Sequence, residues 1–233
     1  WLKCAAPLYI CALYLHRHDI KGQSFLLCAD RSLFWERERT LIVSDLHFGK
    51  TGHFRKAGIP VPQSVFREDI QRLIAQLQFF KPDRLIVVGD MFHSVANKEL
   101  DMFIRWRNDF SSLSVRLVRG NHDILPGDWY KTAGIEVEEE MLQIDGFRFR
   151  HDPLNEAGVN DDNTEPYTFS GHIHPGITIN GLGKQSLRFP CFYFTDSYCI
   201  LPAFSRFTGT VSLAQGKKTT AFAIVEQTLV KVR

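Results

Sequence analysis

Three short apolar runs, each closed by polar residues, set the rhythm of the first half of the chain. "TLIVSD" (40–45), "RLIVVGD" (84–90) and "SVRLVRGNHD" (114–123) are rich in β-branched residues and carry little polar alternation. That pattern predicts strands buried on both faces of a sheet. Between them the apolar period becomes helical: over 63–80, Val65, Phe66, Ile70, Leu73, Ile74 and Leu77 fall on one stripe, and Pro82 blocks further helix. Residues 96–110 carry a second amphipathic pattern. The β-α-β-α-β order predicts a parallel sheet with helical crossovers.

From Ile135 onward the helical period fades. "QIDGFRFRH", "YTFSGHIHPGITI", "SLRFPCFYF", "SYCILPAF" and "TTAFAIVEQTLVKV" alternate with Gly, Asp and Pro turns and read as mostly antiparallel strands. A mixed α/β core of two sheets flanked by helices follows. Residues 5–15 read as a buried edge strand, being too short for a bilayer span and interrupted by Pro7, and 152–166 as the one long polar loop. A chain of 233 residues is expected to form a single domain over 1–233, with 1–20 as an edge strand or an extension.

Charge narrows the partners. With 28 Lys and Arg against 26 Asp and Glu, the formal charge is +2, which gives no dominant field to hold polyanions or lipid nonspecifically. Cys4, Cys11, Cys28, Cys191 and Cys199 are odd in number and form no C-x-x-C pair, so neither a disulfide framework nor a zinc ribbon is indicated, and a reducing cytoplasm fits.

Each predicted parallel strand ends in residues able to bind a metal: Asp45 and His47 after the first, Asp90 after the second, Asn121, His122 and Asp123 after the third. The carboxyl ends of such strands meet at one rim, where ligands bind. His151 follows "FRFR", and His172 and His174 lie in "GHIHP". Alternate residues of an extended chain face one side, so Asp45 with His47, and His172 with His174, are expected to face one site. Singly, each reads as a turn former, a satisfied histidine or surface polarity; their joint placement at successive strand ends points to chemistry. Two Asp, one Asn and four His offer seven oxygen or nitrogen donors without a thiolate, which suits manganese, iron or zinc rather than a closed structural zinc site. Two ions sharing a carboxylate use seven ligands well, and such pairs, ~3.5–4 Å apart, are standard in phosphate-ester hydrolysis.

The blocks "DLH", "GD", "GNHD", "RHDP" and "GHIH", in that order over 45–174, resemble the signature of the calcineurin-like metallophosphoesterase superfamily. "LFWERERTLIVSDLHFGKTGHFRKAGIPVP" and "LRFPCFYF...ILPAFSRFTG" are similar to its PdeM-type branch, the ligase-associated DNA-damage-response phosphoesterases or endonucleases of bacteria. The resemblance implies a four-layer α/β/β/α sandwich and two divalent ions, manganese, with iron or zinc as alternatives. Asp45, His47, Asp90 and His174 would hold the first ion; Asp90, Asn121, His151 and His172 would hold the second. It further implies a cytoplasmic DNA-repair nuclease, with a water or hydroxide between the ions attacking phosphorus and His122 protonating the leaving group or orienting the phosphate. The substrate would be a phosphate ester such as DNA, with a DNA ligase or helicase as associate and no membrane.

Asp123 is expected either to hold the His122 imidazole by accepting a hydrogen bond or to cap the following segment. One departure stands out: where the superfamily often reads G-D-x-x-D, "GDMFHS" places His93, expected to support a ligand, to approach the substrate phosphate, or to be a polar helix-entry residue. Lys50, His53, Arg55, Lys56 and Arg119 lie near the metal blocks, with Lys50 and Arg55 the candidates for phosphate binding. A phosphomonoesterase or cyclic-nucleotide phosphodiesterase would use the same centre. A non-catalytic scaffold is disfavoured by the intact ligand set.

Overall fold

The computed structural model describes residues 15–56, 58, 61–62, 64–93, 98–153, 165–181 and 185–232. The edge strand expected over 5–15 lies outside them except for Leu15, as does residues 154–164 of the expected loop. The three apolar runs form β4 (Thr40–Val43), β5 (Arg84–Val88) and β6 (Ser114–Val118), which pair in parallel. Every residue of β4 is buried. The period of two explains why: Leu41, Val43, Leu85, Val87, Val115 and Leu117 face one apolar cluster, while Ile42, Ile86, Val88 and Val118 face another.

On the first face lie α2 (Ser64–Phe80) and α3 (Lys98–Asp109), which contribute Leu73, Leu77, Phe103 and Trp106. The first ends at Phe80 as expected over 63–80, and the second ends at Asp109, one residue short of the expected 96–110; residues 63, 96 and 97 lie outside the described ones. On the second face lie Phe147, Phe149, Phe169, Phe192 and Phe222 of a second sheet. Burial of these rings from water is the main force joining the sheets.

That second sheet runs β14 (Val211–Ser212), β11 (Pro175–Asn180), β12 (Ser186–Phe194), β13 (Tyr198–Ile200), β10 (Tyr167–Ser170), β9 (Phe147–Arg150), β8 (Leu142–Ile144). β15 (Thr220–Val225) adds to β12 and β16 (Thr228–Val232) adds to β15. Most of its pairs are antiparallel as expected, but β10 runs parallel to both β9 and β13, so its end reaches the rim beside theirs.

The strand at 15–20 lies within the stretch expected as an edge strand or an extension, but several other elements went unforeseen. β7 (Ile135–Glu138) is a fourth parallel strand, where the sequence suggested that the parallel series had ended. β1 (Leu15–Ile20), β2 (Gln23–Cys28) and β3 (Ser32–Trp35) extend the first sheet as an antiparallel meander. Lys21 and Gly22, both left-handed (φ 46° and 75°), make the two-residue turn between β1 and β2. Two short helices, α1 (Lys50–Lys56) and α4 (Gly127–Thr132), were also not anticipated.

Candidate metal centre

The loops leaving β4, β5, β6, β9 and β10 deliver all seven expected ligands to one rim. The extended alternation expected for Asp45/His47 and His172/His174 does not persist. All four, and Asp90, are left-handed: φ is 54° at Asp45, 50° at His47, 51° at Asp90, 66° at His172 and 52° at His174. The consequence is a different partition. Asp45 and His47 still share a group with His174, but His172 turns away to join Asp90 and His151. A tight turn, closed by Ile173 N–H donating to the Gly171 carbonyl at 2.7 Å, separates the two imidazoles.

In each group one ligand atom per residue lies within 4.8 Å of the others. His174 Nε2 is 3.2 Å from Asp45 Oδ1 and 3.5 Å from His47 Nε2. His151 Nε2 is 3.2 Å from His172 Nδ1, 3.2 Å from Asn121 Oδ1 and 3.5 Å from Asp90 Oδ1. The groups adjoin at Asp90, whose Oδ2 lies 4.0 Å from His47 Nδ1.

Supporting contacts orient these donors toward a common point. His151 Nδ1–H donates to the Val88 carbonyl at 3.1 Å, so Nε2 is the nitrogen turned toward the group, where a cation would replace its proton. Burial pushes His47 down to about 3 against the pull of Asp45 and Asp90, so its imidazole is neutral near pH 7. Its buried Nδ1 finds no protein partner among the described residues. Burial would lower His151 too, but its hydrogen bond to Asp90 and the charges of Asp45 and Asp90 outweigh it and raise His151 to about 9. Asp90 ends lowered to about 2: burial opposes ionisation, while His151 and the His122 N–H overcome it. The neutral imidazole of His47 with its orphaned buried nitrogen, the carboxylates of Asp45 and Asp90, and the convergent His151, His172 and His174 fit a pair of divalent ions.

The close approach of these loops depends on three glycines that precede ligands in the signature blocks. A Cβ at Gly89 (φ 79°) would lie 1.9 Å from His151 Nδ1. A Cβ at Gly120 would lie 2.3 Å from Asp90 Oδ1 and 2.4 Å from Asp90 N. One at Gly171 would lie 1.8 Å from Ser44 Oγ and 2.7 Å from Asp45 Oδ2. Ser44, not singled out from the sequence, sits 2.5 Å from Asp45 Oδ2 and donates to it. The only signal for it was its place immediately before Asp45.

His122 stands at the edge of the centre. Its backbone N–H donates to Asp90 Oδ1 at 2.9 Å, and its ring centroid is 5.6 Å from that of His47 and 4.2 Å from that of His93. His93 therefore packs against His122, and its ring centroid lies 5.4 Å from that of His47. The expectation that Asp123 holds the His122 imidazole is corrected. Its Oδ1 accepts Phe92 N–H at 3.0 Å and its Oδ2 accepts Gly120 N–H at 2.9 Å. The chain turns after Gly120, so the carboxylate folds back on its own loop. Burial raises Asp123 to about 7 despite those two N–H groups.

Of the expected phosphate binders, Lys50 is half-buried, and its pKa is lowered by burial against the opposing carboxylates of Asp90 and Asp45. Arg55 Nη1 donates to the Val61 carbonyl at 3.3 Å. The side chains of His53 and Lys56 lie outside the described residues. Arg119 is held by Glu139 at 2.8 Å and by the Asp123 carbonyl at 2.7 Å. Beside the second group opens a cleft of about 420 Å³ lined by Arg119, Asn121, Arg150, His151 and His172 among others. Arg150, next to His151 in sequence, is a basic residue there that the sequence reading overlooked.

Two mixed sheets with paired Asp/His donor groups on their shared rim define a metal-dependent phosphoesterase. The chain belongs to the calcineurin-like phosphoesterase family, whose pattern matches residues 38–217. Its fold is similar to the crystal structure of Pseudomonas putida nuclease MPE, with a TM-score of 0.77 and 27% identity, covering 93% of this chain and 100% of that one. A protein of unknown function from Aquifex aeolicus, AQ665, matches at a TM-score of 0.41 and 17% identity, covering 62% of this chain and 82% of that one. No curated protein matches in sequence.

Proposed function

We propose that this enzyme hydrolyses phosphodiester bonds of nucleic acid, with two divalent ions, manganese first among the candidates, which the donor groups that adjoin at Asp90 would hold. The observation that carries this reading is the place of Asp90: one oxygen faces His151 Nε2 at 3.5 Å and the other His47 Nδ1 at 4.0 Å, so a single carboxylate serves both donor groups. Nucleic acid as the substrate is supported by the similarity to a nuclease. Asp45, His47 and His174 would hold one ion, and Asn121, His151 and His172 the other. When bound, the ions lower the pKa of an attacking water and neutralise charge on the phosphoryl oxygens.

The chain supplies the rest. As the new O–P bond forms in line with the one that breaks, the leaving oxygen takes up a proton from the His122 imidazole. His93, packed on that ring at 4.2 Å, positions it. Lys50 adds positive charge on the same side as Asp45 and Asp90. DNA repair beside a ligase or helicase is the setting that the branch resemblance implies, and the cysteine usage fits a reducing cytoplasm. Among the described residues no helix is long and apolar enough to cross a membrane.

The test is a substrate panel on metal-free protein reloaded with manganese, iron or zinc. Cleavage of an oligonucleotide and of an aryl phosphodiester, with a mononucleotide left intact, is the expected result. Phosphate release from the mononucleotide alone would make the enzyme a phosphomonoesterase. Hydrolysis of nothing under any metal would favour the scaffold reading.

A further inference from the structure

Behind Asp45 runs the loop 203–206, and three arginines close around it. Phe204 N–H donates to the Ser44 carbonyl at 2.7 Å and Ser205 N–H to the Asp45 carbonyl at 3.1 Å. Arg31 Nη1 donates to the carbonyls of Ala203 at 3.1 Å and Ser205 at 2.8 Å. Arg72 donates to the Phe204 carbonyl and to Asp69 at 2.8 Å, with its guanidinium 4.2 Å from the centroid of the Phe204 ring. Arg206, half exposed, has Nη2 3.8 Å from Asp30 Oδ1. These three arginines line a cleft of about 520 Å³.

Topology places this cleft on the rim that bears the metal centre. β3 pairs with β4 through Leu33 and Ile42, so Arg31, just before β3, lies level with Ser44. One strand spacing, about 5 Å, separates that stretch from the chain that carries Asp45. In the second sheet β12 pairs Tyr193 with Ile200, and β15 pairs Ala223 with Cys191. Pro190 and Ile224, which also line the cleft, therefore lie past the end of β13, on the side where β10 delivers His172.

The cleft is short of acceptors rather than rich in net charge. Asp30, Asp69 and Glu226 balance the three guanidinium charges. Yet the Arg72 side chain is only 8% exposed, and its Nε and Nη1 are buried without a protein partner among the described residues. Such groups are costly to leave unpaired. Burial and the adjacent charges of Arg72 and Arg206 push the Arg31 guanidinium down to about 10, a sign that the three cations crowd one another. An oxyanion would relieve that crowding, and arginine forks suit phosphate oxygens.

We propose that this cleft is a second phosphate site, where a polynucleotide engaged at the metal centre lays a neighbouring backbone phosphate against Arg206, with Arg31 and Arg72 held beneath it. The inference rests on the nucleic-acid reading above. Arg206 makes the outer contact because it alone of the three is free of the carbonyl clamp on the loop. Glu226, exposed at the cleft, opposes the phosphate.

Arg206→Gln and Glu226→Gln test this, since neither residue touches the metal donors. With a single-stranded oligonucleotide, Arg206→Gln is expected to raise KM about tenfold. It should also reduce the slope of log KM against log salt by about 0.7. Glu226→Gln should lower KM, and turnover of an aryl phosphodiester should be unchanged in both variants. In a separate arm, inorganic phosphate is titrated into metal-free protein; it should raise the Tm of the wild type more than that of Arg206→Gln. Unchanged oligonucleotide KM and salt slope in Arg206→Gln would overturn the polynucleotide assignment, and the phosphate arm would then show whether the cleft takes free phosphate instead. Equal Tm responses to phosphate would overturn the oxyanion site itself, leaving a clamp for the 203–206 loop. Loss of aryl phosphodiester turnover in Arg206→Gln would likewise identify the cluster as a support of Asp45. If wild type cleaves the aryl ester but no oligonucleotide, the nucleic-acid reading fails, a result distinct from these.

Discussion

Gly171→Ala perturbs the centre directly. The new Cβ would meet Ser44 Oγ at 1.8 Å, Asp45 Oδ2 at 2.7 Å and the Val88 carbonyl at 2.9 Å. Rotation of the Ser44 hydroxyl relieves only the first. The Asp45 carboxylate or the backbone must move for the others, because the Val88 carbonyl belongs to a buried strand and also holds His151 Nδ1. Overpacking of this kind costs about 1–3 kcal/mol. Its functional effect is larger, since displacement of a reacting or ligating group by about 1 Å costs on the order of a hundredfold. Calorimetric titration of metal-free protein should show the two ions losing affinity unequally. The group at Asp45 should weaken about 10–100-fold, while Tm without metal falls modestly. Gly171→Ala with Ser44→Gly removes the shortest contact and should recover part of the loss. If Gly171→Ala binds both ions with wild-type affinity, the close packing of the two loops does not set the geometry of Asp45, and the reasoning is wrong.

His122→Ala should keep both ions, by calorimetric stoichiometry, while turnover drops about 10²–10⁴-fold; unchanged turnover would remove His122 from proton transfer. Asp123→Ala strands the N–H groups of Phe92 and Gly120, and at about 1–3 kcal/mol each the variant should lose several degrees of Tm. His151, raised to about 9, stabilises the metal-free protein fully below about pH 6.5, its ordinary value, and that contribution disappears as pH rises through 9. Asp90, lowered to about 2, contributes above its ordinary value and loses that contribution as pH falls through 2. Melting of metal-free protein should therefore show stability declining between pH 6.5 and 9, and His151→Ala should flatten that decline. Since His151 is protonated without an ion, loading at pH 7 should release a proton, seen as a buffer-dependent heat of binding. Backbone amides of Asp45, His47 and His172 should resist hydrogen exchange in metal-free protein, because each already donates within the centre; rapid exchange would mean that the ions assemble the site.

The sequence showed which residues meet and not how. β4, β5 and β6 were legible because strands buried on both faces leave uninterrupted apolar runs, and α2 because its stripe is wide. β1, with "LHRHDI", carries no such run: it is a mostly exposed edge whose pairing with β2 depends on a turn at Lys21 and Gly22. β7, "IEVE", alternates with charge and so resembled the strands that follow it rather than the parallel series it joins. At the site, adjacency misled twice. Asp123 follows His122 in sequence but turns back onto Gly120, and His172 and His174, one residue apart, serve different groups. The second error comes from assuming an extended chain where His172 and His174 are left-handed, the first from the turn that follows Gly120. Arg72 and Asp69 were passed over for another reason: charges on a helix are ordinarily solvated, and here the tertiary approach of the 203–206 loop buries them.

The left-handed ligands themselves carry physical meaning. An L-residue with a side chain pays about 1–2 kcal/mol to adopt that conformation, so five such residues together represent a cost comparable with the whole net stability of a domain, about 5–15 kcal/mol. No single loop has the contacts to hold that strain. It is shared, because each loop donates to the next: Asp45 N–H to the Gly89 carbonyl at 3.1 Å, His47 N–H to the Asp90 carbonyl at 2.9 Å, and His172 N–H to Asp45 Oδ2 at 3.2 Å. The first two join the β4 and β5 loops within one sheet, and the third crosses from the β10 loop of the other sheet to the β4 loop. The centre is thus a product of the sandwich closing, and the rigid sheets beneath convert their packing energy into strained, convergent ligands that a local motif in solution would not hold.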